Sequence, residues 1–226
     1  MRATKSLVEH YFSSLNPPAD PLIEKSRQAA LGLGLQQISL GDLELQILKS
    51  VIALHQSQNF IEIGTLTGTS GLAILEALPE AATFWTFEKE PRHAELAKAF
   101  LNEAALKKNQ KVVMVLGDAR LRLADIEASG PFDGIFIDGN KAAYGDYLAW
   151  AEKNIKKGGL IIADNVFLSG AIFESNEDSF EKNQRSRFSP KQIQVMRDFN
   201  KRLMDASAFQ SCLLPTEEGL FIAIKI

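Results

Sequence analysis

Phe60-Ile61-Glu62-Ile63-Gly64-Thr65-Leu66-Thr67-Gly68-Thr69-Ser70-Gly71 decides the fold class of this chain. Four residues of strand character run into a glycine-bearing turn, and the turn runs into a helix that continues to about Leu78. Glycines at such a place let the backbone approach a ligand, and the following helix N-terminus favours negative charge. A tight turn in any α/β protein reads the same way, so this stretch alone settles the local structure and leaves the ligand open.

Downstream, the same texture repeats. Thr83–Phe87 reads as a strand and Pro91–Ala105 as a helix. Val112–Leu116 is a strand, followed by Gly117-Asp118-Ala119 and a short helix near 119–128. Phe132–Ile137 is an apolar strand, Tyr144–Lys156 a helix and Leu160–Ala163 a strand. Strands alternating with helices at this spacing predict a parallel, doubly wound sheet. The end differs. A helix over Lys191–Ala206 is followed by strands Phe209–Leu214 and Leu220–Ile226, with only Pro215–Gly219 between them. That link is too short for a parallel crossover, so the pair forms an antiparallel hairpin. The expected architecture is an α/β, Rossmann-like sheet of seven strands, one of them reversed.

Upstream, the chain reads as helical: Ser6–Leu15, stopped by Asn16-Pro17-Pro18; about Pro21–Leu31, broken by Gly32 and Gly34; and a third helix from Gly41-Asp42, with Leu43, Ile47, Val51 and Leu54 on one face. The division expected is residues 1–58 as N-terminal helices and 59–226 as the α/β core of one domain. The 226 residues are 46% hydrophobic and 23% charged with a formal charge of -3, values that exclude a disordered chain and a dedicated basic nucleic-acid binder. A single cysteine, Cys212, excludes an internal disulfide and a Cys-rich zinc site, and it reads as a small buried residue of its strand. The first residues lack the apolar core of a signal peptide, and no apolar run reaches the ~20 residues of a membrane span. The expectation is a cytoplasmic protein.

Three groups of residues carry candidate chemistry. Glu88 closes the second strand, 20 residues after Gly68, where an acid can accept both ribose hydroxyls. That also fits a nicotinamide dinucleotide, but Gly64, Gly68 and Gly71 are spaced G-x-x-x-G-x-x-G rather than G-x-G-x-x-G. Glu62 would be unfavourable beside a pyrophosphate and suits an ammonium or sulfonium charge. Asp138 ends one strand and Asp164-Asn165 end the next. If those strands are neighbours, two carboxylates and an amide oxygen converge as a hard donor set suited to Mg²⁺, whereas zinc would want thiolate or imidazole. Lys141, three residues past Asp138, can serve as a general base where burial and a nearby cation lower its pKa; a surface lysine is the alternative. His10, His55 and His93 show no metal-ligand spacing, and His93 reads as lying on an exposed helix turn. Trp85 and Trp150 read as packing residues.

With these residues in place, the chain resembles the cation-dependent O-methyltransferases that use S-adenosylmethionine (SAM), a family that includes catechol O-methyltransferase and the plant caffeoyl-CoA O-methyltransferases. The resemblance covers about residues 36–226 and rests on Ile38-Ser39-Leu40-Gly41-Asp42, the stretch 60–70, Gly117-Asp118-Ala119, Phe132–Lys141 with Tyr144, and Gly158–Asn165. It implies that Glu62, Gly64 and Ser70, helped by the backbone near Ser39 and Leu40, hold the methionine part of SAM. Glu88 would hold the ribose, and Asp118, Ala119 and Arg120 the adenine. Asp138, Asp164 and Asn165 would bind Mg²⁺ or another divalent cation such as Mn²⁺ or Ca²⁺, with Asp138 also beside the cofactor and Lys141 as the base. The acceptor implied is a small catechol-like vicinal diol, and a homodimer is implied with the N-terminal helices as candidates for exchange. Three departures stand out: Asn140 replaces a frequent second acid, Leu66 and Thr69 replace aromatic residues of the turn, and 173–189 is longer and more polar. A tRNA hydroxyuridine O-methyltransferase of the same family is the alternative, disfavoured by the acidic balance. A nicotinamide-dependent oxidoreductase is disfavoured by the glycine spacing.

Overall fold

The computed structural model describes residues 11–12, 14–15, 20–35, 40–106, 108–173 and 187–226. Of the helix expected over Ser6–Leu15, only the helical Tyr11, Phe12, Ser14 and Leu15 fall inside this set, and Ser39 falls outside it, as does 174–186.

The strands are β1 (Asn59–Ile63), β2 (Thr83–Glu88), β3 (Lys111–Leu116), β4 (Phe132–Ile137), β5 (Ile155–Ala163), β6 (Phe209–Leu214) and β7 (Leu220–Lys225). They form one sheet in the order β3-β2-β1-β4-β5-β7-β6. The first five run parallel, and β7 pairs antiparallel with both β5 and β6, as the short 215–219 link requires. The expected seven-stranded sheet with one reversed strand is therefore the fold. Strand order reverses between β1 and β4, and that switch point opens a crevice beyond their carboxyl ends.

Both faces of the sheet are covered, which is why its strands read as near-continuous apolar runs. Phe60, Phe84, Phe136, Leu160 and Ile162 face a layer made by α1 (Pro21–Gly32), α2 (Asp42–His55), α3 (Thr69–Ala77) and α4 (Pro91–Leu106). Ile61, Ile63, Ile135, Ile137 and Ile161 face the other layer, made by α5 (Ala119–Arg122) and the 3-10 turn after it, α6 (Tyr144–Asn154) and α7 (Pro190–Leu203). Trp85 meets Phe132 edge-on and Trp150 meets it at a tilt, so both tryptophans pack against this layer's core.

Three local expectations are corrected. The fully buried stripe of α2 is Leu45, Leu48 and Ile52, while Leu54 is exposed. The helix has apolar residues around much of its circumference, and its contact with α3 selects the stripe. Helix α6 stops at Asn154, and β5 begins at Ile155, because β5 carries an irregularity opposite Phe132–Gly134 in which Gly158 adopts φ +73°. Cys212 is exposed, since β6 is the sheet's edge strand.

Candidate active site

The candidate residues meet because the parallel strands end in register. Ile63 of β1 pairs with Phe87 of β2 and Ile137 of β4, and Ile137 pairs with Ala163 of β5. The next residue along each strand therefore falls into one row across the sheet: Gly64, Glu88, Asp138 and Asp164. The backbone locks that row, with Asp138 N donating to Ile63 O at 2.9 Å and Asp164 N to Ile137 O at 3.0 Å. Gly64 sits at φ +98°, and a Cβ there would lie 2.1 Å from the Asp138 carbonyl oxygen, so only glycine lets these two strand ends close up.

A cleft of about 500 Å³ opens over the ends of β1, β2 and β3, lined by Gly64, Leu66, Glu88, His93, Asp118, Ala119, Arg120, Asp138 and Tyr147 among others. Its acids at the ends of β2 and β3 are engaged within the chain. Buried Glu88 accepts from Leu66 N at 2.8 Å and from Glu90 N at 2.9 Å. Asp118 caps α5 by accepting from Arg120 N, and the Arg120 guanidinium chelates the same carboxylate, holding its pKa below the usual range. The turn 64–68 is fixed to β2 by Gly64 N and Thr65 N, both donating to Phe87 O.

Glu62 and Ser70 do not line this cleft. They lie beneath the turn, in the layer of α1–α4. Ser70 donates to Glu62 Oε1 at 2.6 Å and Thr86 to Oε2 at 2.5 Å, while Thr86 also meets the Thr65 hydroxyl. Glu62 is fully buried, and burial raises its pKa to about 7 against the lowering effect of those hydroxyls.

A second cleft, also about 500 Å³, opens over β4 and β5. It is lined by Leu40, Glu44, Asp138, Lys141, Asp164, Asn165, Arg187, Phe188 and the 217–218 turn. Asp138 and Gly139 belong to both clefts. Here the polar groups are not all satisfied. Asp164 is buried, its Oδ2 accepts from Asn165 Nδ2 at 2.9 Å, and its Oδ1 has no hydrogen-bond partner. Burial and then the Asp138 carboxylate push its pKa well above the usual carboxylate range. Lys141 Nζ is 2.8 Å from Asp138 Oδ1 and 2.9 Å from the Tyr144 hydroxyl. Burial would lower its pKa, but the Asp138 carboxylate outweighs that and holds it above an ordinary lysine.

The donor chemistry fits a hard divalent cation: two close carboxylates, one with a bare buried oxygen, and an amide whose nitrogen is already engaged. Among the described residues no group of three or more His, Cys, Asp and Glu side chains gathers for a metal, so these two carboxylates alone do not make a full donor set.

Residues 13–226 match the family model described as O-methyltransferase. The chain belongs to the O-methyltransferase family. A Niastella koreensis catechol O-methyltransferase is 30% identical over 224 residues, covering 96% of each chain. The O-methyltransferase from Bacillus cereus in complex with SAH superposes with TM-score 0.82 at 26% identity over 97% of each chain. A Streptomyces achromogenes O-methyltransferase involved in tomaymycin synthesis, in complex with SAM, gives TM-score 0.81 at 27% identity over 97% of this chain and 96% of that one.

The sequence of this O-methyltransferase gave no role to three residues of the site, of which it singled out only Tyr144 as part of the resemblance. His93 is half-buried on α4 and lines the first cleft, with Nδ1 3.8 Å from Glu88 Oε1, instead of standing on an exposed turn. Tyr144 is fully buried and ties the second cleft together: its hydroxyl accepts from Lys141 and donates to Asp164 O at 2.8 Å. Glu44, from the first turn of α2, adds a carboxylate to the second cleft. Only Tyr144 had a sequence signal, its place three residues after Lys141.

Proposed function

We propose that this O-methyltransferase transfers the methyl group of SAM to a hydroxyl of a small catechol-like acceptor, with Mg²⁺ or a similar divalent cation bound by Asp138, Asp164 and Asn165. The observation that carries the reading is Asp138, shared by both clefts, beside an Asp164 carboxylate with a bare buried oxygen. The names of the relatives support it: one is a catechol O-methyltransferase, and two structural neighbours hold SAM or SAH.

The first cleft takes SAM, which brings the electrophilic methyl. Glu88 faces the ribose hydroxyls, Asp118, Ala119 and Arg120 border the adenine, and Gly64 lets the chain close against the methionine portion. Buried Glu62, with Ser70, braces this turn from below and supplies a carboxylate whose ionisation favours a positive centre above it. Leu40, which lines the second cleft and not the first, borders the acceptor with Gly139 instead of the methionine portion that the resemblance implied. The bound cation would lower the pKa of an acceptor hydroxyl by direct charge stabilisation.

Lys141 handles the proton. Its contact with Asp138 holds Nζ as the ammonium, which must first give one proton to solvent before the neutral amine can accept the hydroxyl proton. Tyr144 holds Nζ in position throughout. Two clefts meeting at Asp138 bring nucleophile and methyl together, and much of the acceleration comes from that positioning. The test is transfer of labelled methyl from SAM to catechol and to bulk tRNA, with Mg²⁺ and with EDTA. Transfer to catechol that disappears with EDTA and returns with Mg²⁺ is expected. Turnover indifferent to the chelator would refute the cation's role, and transfer to tRNA alone would replace the acceptor.

A further inference from the structure

The turn that faces the first cleft is held from two sides, and the second side lies outside the sheet. Leu66, at the tip of the turn, has φ +49°, a left-handed conformation that costs a leucine ~1 kcal/mol or more and persists only where its surroundings fix it. On the sheet side Glu88 accepts from Leu66 N. On the helical side stands Ser26 of α1, fully buried and 41 residues away in sequence from Thr67. Its hydroxyl donates to Thr67 O at 2.9 Å. With its one proton spent there, it accepts from the Thr69 hydroxyl at 2.8 Å, and Thr67 Oγ1 lies 3.2 Å away. The Ser26 hydroxyl thus bridges the turn and the first residue of α3.

Helix α1 delivers that hydroxyl from a firm seat. Asp20 caps its N-terminus through Leu22 N, Leu22 and Ile23 are buried in the α1–α4 layer, and Arg27 pairs with Asp42 at the start of α2 at 2.7 Å. Nothing in the chemistry of a packed helix demands a serine at this position. An alanine would fill the site, leaving the Thr67 carbonyl and two threonine hydroxyls short of a partner.

We infer that Ser26 is a positioning residue for the cofactor: it fixes the 64–69 turn in its binding shape from outside the sheet, and so sets SAM affinity without touching SAM. This rests on the reading of the first cleft as the SAM site. The test compares wild type with Ser26→Ala, Ser26→Cys and, as a packing control on the same helix, Ile23→Ala. Two quantities are read: SAH affinity by calorimetry, well below each melting temperature, and hydrogen exchange at the amides of Leu66–Gly68 without ligand.

Both Ser26 variants should weaken SAH about tenfold and speed exchange in the turn, since cysteine keeps the volume and loses the strong hydrogen bond. Ile23→Ala should lower the melting temperature and leave SAH affinity within about twofold. Wild-type affinity and wild-type exchange in Ser26→Ala would overturn the inference, and so would full rescue by Ser26→Cys. If wild type itself does not bind SAH, the SAM reading fails, and the exchange measurement still decides whether Ser26 holds the turn.

Discussion

The two clefts are built from the same row of strand ends, yet they are finished to different degrees. Over β1–β3, the acids of the cleft are engaged by the chain: Glu88 by two backbone amides and Asp118 by Arg120, while Glu62 beneath the turn is engaged by two hydroxyls. Over β4–β5, among the described residues, Asp164 keeps a buried oxygen with no partner, and Asp138 is balanced only by Lys141. A preorganised site loses little on binding a ligand that matches it. An unsatisfied buried carboxylate is costly until something compensates it. The acids at the ends of β2 and β3 are thus engaged within the chain, and the second cleft keeps a buried carboxylate oxygen that is not.

Asp164→Ala is the change with the largest expected consequence. It should lower methyl transfer to catechol by about 10³-fold while SAH affinity stays within a few-fold, because the residue lines only the second cleft. A parallel collapse of SAH binding would erase the distinction between the clefts. Lys141→Met comes next. Loss of a proton acceptor should lower kcat by about 10²–10³-fold and leave the KM for SAM near wild type. An unchanged kcat across the pH profile would remove Lys141 from the chemistry.

Glu88→Gln should produce the mirror image. One carboxylate oxygen becomes an amide that cannot accept from a backbone N–H, so SAH should bind about 10- to 100-fold more weakly. Turnover at saturating SAM should fall far less. A kcat loss as large as that of Asp164→Ala would show that the clefts act as one unit.

The smallest effect concerns pH. Glu62 has a folded pKa near 7 against an ordinary value of 4.5, so the folded chain keeps its extra proton between those values. Stability from this group is full at low pH and declines as the pH rises through about 7. Glu62→Gln should therefore flatten the fall in Tm of the ligand-free protein between about pH 5 and pH 8, by roughly 5 °C. An identical slope in the variant would mean that Glu62 does not titrate in this range.

Much of this was legible in the residues. The run Phe60–Ile63 with its glycine turn, and strands alternating with helices after it, dictated a parallel doubly wound sheet, because a strand buried on both faces has no polar alternation to offer. The link 215–219 dictated the reversed strand by length alone. Asp138, Asp164 and Asn165 stood out because each follows an apolar strand, where α/β sheets bind ligands. The α2 stripe and the start of β5 were less legible, since the choice among apolar faces and the placement of a strand irregularity depend on neighbours far away in sequence.

His93, Glu44 and Ser26 were invisible for the same reason. Each is an ordinary residue on an ordinary helix, and each gains a role only where packing aims it: His93 toward Glu88, Glu44 into the second cleft, Ser26 onto Thr67. The sequence alone determined the element types, the reversed final strand and the acids at strand ends, because periodicity, turn length and residue chemistry are local properties. Tertiary structure alone decided that β1 lies beside β4, that Gly64 and Asp138 touch, that Glu62 points beneath the turn and that Asp164 keeps one bare oxygen. Those facts depend on strand order and register, which are fixed by the burial of both sheet faces together.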